Sequence, residues 1–304
     1  MNTNNMNNVQ KSDIFRATDN NIRIAVKYYL EDPAKGLKRY GPISEWDVSR
    51  VTDMSDLFKN AHSFNENISK WNVSSVKNMR TMFEEASSFN ADISDWDVSN
   101  VTNMRAMFFG AQSFNKDLTK WDVSNVTDMS GMFMYAHSFN GDISTWNVSC
   151  VTDMRKMFWQ ADQFDKDLSR WNVGRVTDMS SMFRDASSFH ADLSNWDVSS
   201  VTDMNSMFAD ARSFHADLSK WNVSRVTDMR AMFAYAISFN SDLSNWDVSN
   251  VNKLAYMFLH AISFNRDLSR WNVSNLATMP GIFMDTGYFT THTAPWLQPK
   301  PVRS

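Results

Sequence analysis

Apolar positions in this chain recur with a period of 25 residues, held without a slip from Trp46 to Trp296. Read from its tryptophan, each period is W-[DN]-V-S-x-V-T-D-M-x-x-M-F-x-x-A-x-S-F-N-x-D-[IL]-S-x. It is repeated ten times and is nearly unblemished from Trp121 to Lys166. A period of this length marks a solenoid, in which one unit cannot bury its apolar face alone and neighbouring units share a continuous core.

Within a unit, Leu118-Thr-Lys-Trp121-Asp-Val123-Ser-Asn-Val126 has the L-x-x-L-x-L-x-x-N spacing of a leucine-rich-repeat core. Side chains alternate along a strand, so the period predicts a short strand with Trp121 and Val123 inward and Lys120 and Asp122 outward. Val126, Met129, Met132, Phe133 and Ala136 then form a helical stripe, with Thr127 or Ser124 as N-cap and Asp128 in the first turn. The unit closes on Phe139-Asn140-x-Asp142, where the ring fills a corner and the polar side chains bond turn backbone. The expected fold is an α/β repeat solenoid, leucine-rich-repeat-like, with one short parallel strand and one short helix per unit.

The ends depart from the repeat as solenoid caps must. Ile22, Ala25, Val26, Tyr29 and Leu30 predict an amphipathic helix with Asp19 or Asn20 as N-cap and a stop at Asp32-Pro33, and Ile43 already fills the position before the first strand. At the other end Val251-Asn-Lys-Leu254 and Leu276-Ala-Thr-Met279-Pro280 lose the usual Val-Thr-Asp-Met, and Trp296 closes the last layer. The expected organisation is a tail over 1–18, a helical cap over 19–42, ten units over 43–296 and a second tail over 297–304.

Composition adds little, because 21 Met, 22 Phe and 8 Gly reflect a few core positions copied many times. The net charge of −4 argues against a nucleic-acid partner. One cysteine, Cys150, excludes an internal disulfide framework and a multi-cysteine zinc site. With no signal-peptide-like or membrane-spanning run, a cytoplasmic or virion-associated location is expected, without membrane insertion. Asn72, Asn147, Asn222 and Asn272 open Asn-Val-Ser sequons, and Asn100 and Asn125 open Asn-Val-Thr; all belong to the packed unit and are read as fortuitous.

The repeated string, with the lead-in Tyr40-Gly41-Pro42-Ile43-Ser44-Glu45-Trp46, resembles the BspA-like leucine-rich-repeat family over about residues 22–296. This is the mycoplasma surface lipoprotein type, a domain of unknown function with 25-residue repeats. The resemblance implies a solenoid in surface, adhesion or interaction roles, and a non-enzymatic one. Members on cell surfaces usually carry a signal peptide or lipid anchor.

Residues that break the repeat are the candidates for function. The position after Met-Phe carries Lys59, Glu84, Phe109, Met134, Trp159 and Arg184 in successive units, so Phe109, Met134 and Trp159, with Tyr135 beside them, form an apolar ridge. A second cluster is Tyr235, Ile237, Leu259, Ile262 and Met284. Such residues either contact another protein, including a second copy, or fold back as additional core.

A cation precedes every second tryptophan at Lys70, Lys120, Arg170, Lys220 and Arg270. These either pair with opposite charges on adjacent strands or present a face to a carbohydrate or other cell-surface ligand. Arg80, Arg105, Arg155 and Arg230 read as a solvated face. His190 and His215, near Asp192 and Asp217, are too few for a metal site, and the Asp before each Ile or Leu, from Asp92 to Asp267, reads as a turn cap. No nucleophile elbow, phosphate loop or zinc motif is present, so neither a catalytic site nor a cofactor is expected.

Overall fold

The computed structural model describes residues 14–287 and 294–297. Most of the tail expected at 1–18, and all but Leu297 of that at 297–304, lie outside them. The described end of the first tail is ordered: Arg16–Thr18 form β1, which pairs in parallel with β2 (Asp47–Arg50).

The N-terminal cap is two helices, α1 (Ile22–Glu31) and α2 (Pro33–Tyr40). Ile22, Ala25, Val26 and Tyr29 are buried as their spacing predicts, whereas Leu30 stays partly exposed. The sequence shows the stop of α1 but not the restart. Asp32 accepts the Lys35 amide at 3.1 Å, and Pro33 supplies the fixed φ of a first helical position. Asn21, not Asp19 or Asn20, holds the N-cap position of α1. Asp19 instead accepts bonds from the Thr52 amide and hydroxyl and from the Asp53 amide, at 2.7 to 3.1 Å, and so fastens the cap to the first unit.

The repeat solenoid is present, but the unit is built differently from the strand and helix expected. Beyond β2, the parallel pairing is a column of single bridges running through Asp53, Asn78, Asn103, Asp128, Asp153, Asp178, Asp203, Asp228 and Lys253. After each bridge the chain turns instead of entering a helix. In the fourth unit the Met132, Met134, Ala136 and Phe139 amides bond the carbonyls of Met129, Gly131, Phe133 and Ala136 three residues back. The Met129, Gly131, Phe133 and Tyr135 amides between them bond the carbonyls of Asp153, Arg155, Met157 and Trp159 in the next unit. Alternate amides thus tie the turn to itself and to its neighbour.

This alternation requires a left-handed residue at two places in every unit. Gly131 (φ 62°) and Tyr135 (φ 59°) are one pair, and Lys156 and Gln160, at 60° and 55°, are the next. Such residues suit type II turns and cannot lie in an α-helix. The apolar stripe survives because a three-residue turn, like a helical turn, returns the chain to the same face. Val126, Met129, Met132, Phe133 and Ala136 are all fully buried.

The tryptophans spaced by 25 residues from Trp46 to Trp271 are core, none more than 4% exposed. From Trp71 onward each indole N–H donates to a carbonyl 28 residues earlier, as Trp146 does to Leu118 at 2.9 Å. Trp296 continues the column, donating to Leu268 and stacking on Trp271 at 6.3 Å.

Aromatic columns also show where the units lie closest. Equivalent rings lie 5.4 to 5.7 Å apart in the column of Phe83, Phe108 and Phe133. They lie 5.8 to 6.0 Å apart in that of Phe89, Phe114 and Phe139. Stacked tryptophans lie 6.2 to 6.5 Å apart. Hydrogen-bonded neighbours along the bridge column are held at about 4.8 Å. The units therefore lie closest along the bridges and turns, termed the concave side, and farthest apart along the tryptophan edge, termed the convex side.

Candidate functional site

The concave surface carries the departures from the repeat, because the turns that build it expose the positions flanking the bridges. Phe109, Met134, Tyr135 and Trp159 are brought together there, each half-buried. Tyr135 meets Phe109 edge-on with ring centres 5.4 Å apart and Trp159 at 5.7 Å. The Trp159 indole donates to Asp185 at 2.9 Å, and the Arg184 guanidinium and Lys156 ammonium lie 5.0 and 5.3 Å from its ring. The ridge is therefore a held platform of half-exposed rings, neither core nor free side chains.

A groove of about 470 Å³ runs beside it, lined by Arg80, Arg105, Ala106, Phe109, Gly131 and Met134 among others. Arg80 and Arg105, one unit apart, are exposed and make no side-chain ion pair among the described residues. Arg155 is held by Asp153 at 2.9 Å, and Arg230 by Asp228 at 2.7 Å. Arg80, Arg105 and Arg230 are exposed, as a solvated face requires, and Arg155 is half-buried.

Nearer the C-terminus, Tyr235, Ile262 and Met284 are 42%, 44% and 55% exposed, while Ile237 and Leu259 are half-buried. Tyr256, 44% exposed, belongs with this patch and was not singled out by sequence reasoning. Its one signal is position: it occupies the first left-handed place of its unit, where other units carry mostly small or charged residues.

The convex side carries Lys70, Lys120, Arg170, Lys220 and Arg270, all exposed. Only Lys120 forms an ion pair among the described residues, with Asp95 at 2.6 Å. Cross-unit neutralisation therefore does not account for the column as a whole.

Acidic side chains play two different parts. The Asp before each Ile or Leu caps a turn, as Asp92 does by accepting the Ser94 amide at 3.0 Å and Asp167 the Ser169 amide at 2.8 Å. Hydrogen bonds from those serines hold the carboxyls of Asp92, Asp142, Asp167, Asp217, Asp242 and Asp267 below the usual range. The same bond made one residue after tryptophan lowers Asp122, Asp197 and Asp247. In the bridge column, by contrast, burial and then like-charged neighbours raise Asp153 and Asp203. Burial also opposes the charge of Asp228, but bonds from Arg230 and Lys253 outweigh it and leave its carboxyl lowered.

His190 and His215 stack at 5.8 Å; Asp165 lies 3.0 Å from His190, while Asp192 and Asp217 are occupied with serine amides. Among the described residues no three His, Cys, Asp or Glu side chains are grouped to hold a metal ion, and no helix is long and apolar enough to cross a membrane.

The sequence profile of the family described as "Mycoplasma protein of unknown function, DUF285" matches residues 32–143, 114–220 and 213–300. No curated protein matches the chain. Among solved structures, it is similar to a leucine rich cell surface protein of Faecalibacterium prausnitzii. The two share 15% identity over 91% of this chain and 82% of that one, with a TM-score of 0.41.

Proposed function

Because this chain belongs to the DUF285 family of mycoplasma-type repeat proteins, which fixes an architecture and names no chemistry, we propose that it is a non-enzymatic scaffold binding another protein through its concave face. The observation that carries this reading is the platform of Phe109, Tyr135 and Trp159, whose rings are locked by one another and by Asp185 yet remain half-exposed. Rigid aromatic surface of this kind contributes contact area at little entropic cost, which is why such residues are enriched where proteins bind one another.

The test is capture from the native source by the wild-type chain and by the Phe109→Asp/Trp159→Asp variant, with folding checked by circular dichroism. Partners retained by the wild type and lost by the variant support the reading. An unchanged set of partners on a folded variant refutes it. Four convex cations without ion-pair partners among the described residues keep a second reading in view, a carbohydrate or cell-surface ligand on that side. It requires binding on a glycan array that is lost when Lys70, Arg170, Lys220 and Arg270 are changed to Ala.

A further inference from the structure

We infer that the groove beside the ridge receives an acidic peptide segment of the partner protein, with its carboxylates on Arg80 and Arg105 and an apolar side chain over Gly131. The inference rests on the protein-binding reading above and gives that partner a chemistry.

Three features meet in this groove. The first is unneutralised positive charge. Arg80 and Arg105 occupy the same place in consecutive units, about 5 Å apart along the solenoid, and both guanidinium groups are exposed without an ion-pair partner among the described residues. Three acidic groups nearby are engaged, Glu84 with Lys59 at 3.0 Å, Asp153 with Arg155 at 2.9 Å, and Asp128 with the Ser130 amide and hydroxyl at 2.9 and 2.6 Å, while Glu85 is half-buried against Gly110. Guanidinium is suited to carboxylate recognition because its planar fork donates two parallel bonds.

The second feature is a gap. Arginine fills the equivalent place at 80, 105 and 155, but the unit between the last two has Ser130 followed by Gly131. A Cβ built on Gly131 would come no nearer than 4.0 Å to Ala106 and Met134, so the floor is open. The third is the wall, since Phe109 and Met134 border the gap and are only half-buried.

A carboxylate-bearing chain with an apolar side chain satisfies all three features. A uniformly charged polyanion meets the arginines but leaves the gap and its apolar wall unfilled.

The test measures fluorescence anisotropy of a labelled octapeptide of alternating glutamate and leucine against the full chain, with its glutamine-leucine counterpart, a heparin hexasaccharide and inorganic phosphate as comparisons. The acidic peptide is expected to bind, to weaken with added salt, and to lose about tenfold or more in affinity on Arg80→Ala/Arg105→Ala. Gly131→Tyr should block the gap and abolish binding, with folding checked by circular dichroism, because Tyr256 holds the equivalent place at φ 59° against Gly281 whereas residue 131 is followed there by Lys156. Arg175→Ala/Arg225→Ala, exposed but outside the groove lining, should change nothing.

Equal binding of the glutamine peptide, indifference to the arginine variant, or binding of heparin or phosphate alone would overturn the inference. Should the peptide fail to bind while Phe109→Asp/Trp159→Asp abolishes capture of native partners, the acidic chemistry is wrong and the protein-binding face stands. If capture also survives that variant, the wider reading falls with it.

Discussion

Trp146 shows how much one residue does in this fold. It is 2% exposed, stacks on Trp121 at 6.3 Å and Trp171 at 6.2 Å, and donates its indole N–H to the Leu118 carbonyl. Trp146→Ala should destabilise the chain by about 3 to 5 kcal/mol in denaturant unfolding, because a cavity opens between two layers. Trp146→Phe should cost less, keeping most of the stack and losing the bond. Backbone strain gives an opposite expectation: Ala231 sits at φ 52°, where an L side chain crowds its own carbonyl. Ala231→Gly should therefore raise stability by up to ~1 kcal/mol, after the extra chain entropy of glycine is set against the relieved strain. Gly131→Ala should lower it by a similar amount, also read from the unfolding midpoint. The buried tryptophans and methionines are legible from the period alone, since only core positions repeat so strictly. The left-handed residues are not, because Lys156, Tyr235 and Asp285 have nothing in common as amino acids; the neighbouring unit's carbonyls impose the conformation.

At the level of the unit, stability depends on short turns whose serine amides are capped by Asp or Asn. Aspartates lowered by those bonds bind protons more weakly folded than unfolded, so the stability they contribute is present above the ordinary carboxylate range. It is lost as pH falls through and below that range. Asp153 and Asp203, raised by burial, act in the opposite sense but are fewer than the lowered group. The unfolding midpoint should therefore be flat at neutral pH and decline on acidification below about pH 5, in the region of ordinary aspartate values. Replacing Asp122, Asp197 and Asp247 together by Asn should flatten the acid limb without removing the turns, since Asn72 and Asn222 accept the same serine amides at 3.1 and 3.2 Å. The turn-capping role was legible because Asp precedes Ser at fixed spacing. The helix expected between bridge and corner was not formed, because burial at three- and four-residue intervals is common to helices and successive tight turns. Which amides cross to the next unit is absent from any single unit's sequence.

Over the whole molecule, interactions run between adjacent units, so length is adjustable in steps of one unit. Excising Trp146–Arg170 should leave a folded, shorter solenoid, with native-like circular dichroism and a reduced radius of gyration by solution scattering. Excising half that segment should not, because every column of Trp, Phe and bridge residues would lose register. The period by itself determined the solenoid, its core residues, its family and the residues that depart from the repeat, because stacking of identical units constrains what each position must bury. Only the tertiary structure decided the construction of the unit and the side on which units lie closest. It also turned Phe109, Tyr135 and Trp159 into a half-exposed platform beside two arginines that form no ion pair among the described residues. Those properties arise between units, from the competition of each amide for a partner in its own turn or the next. A side chain's exposure there depends on neighbours about 25 residues away, as when Tyr135 packs between Phe109 and Trp159.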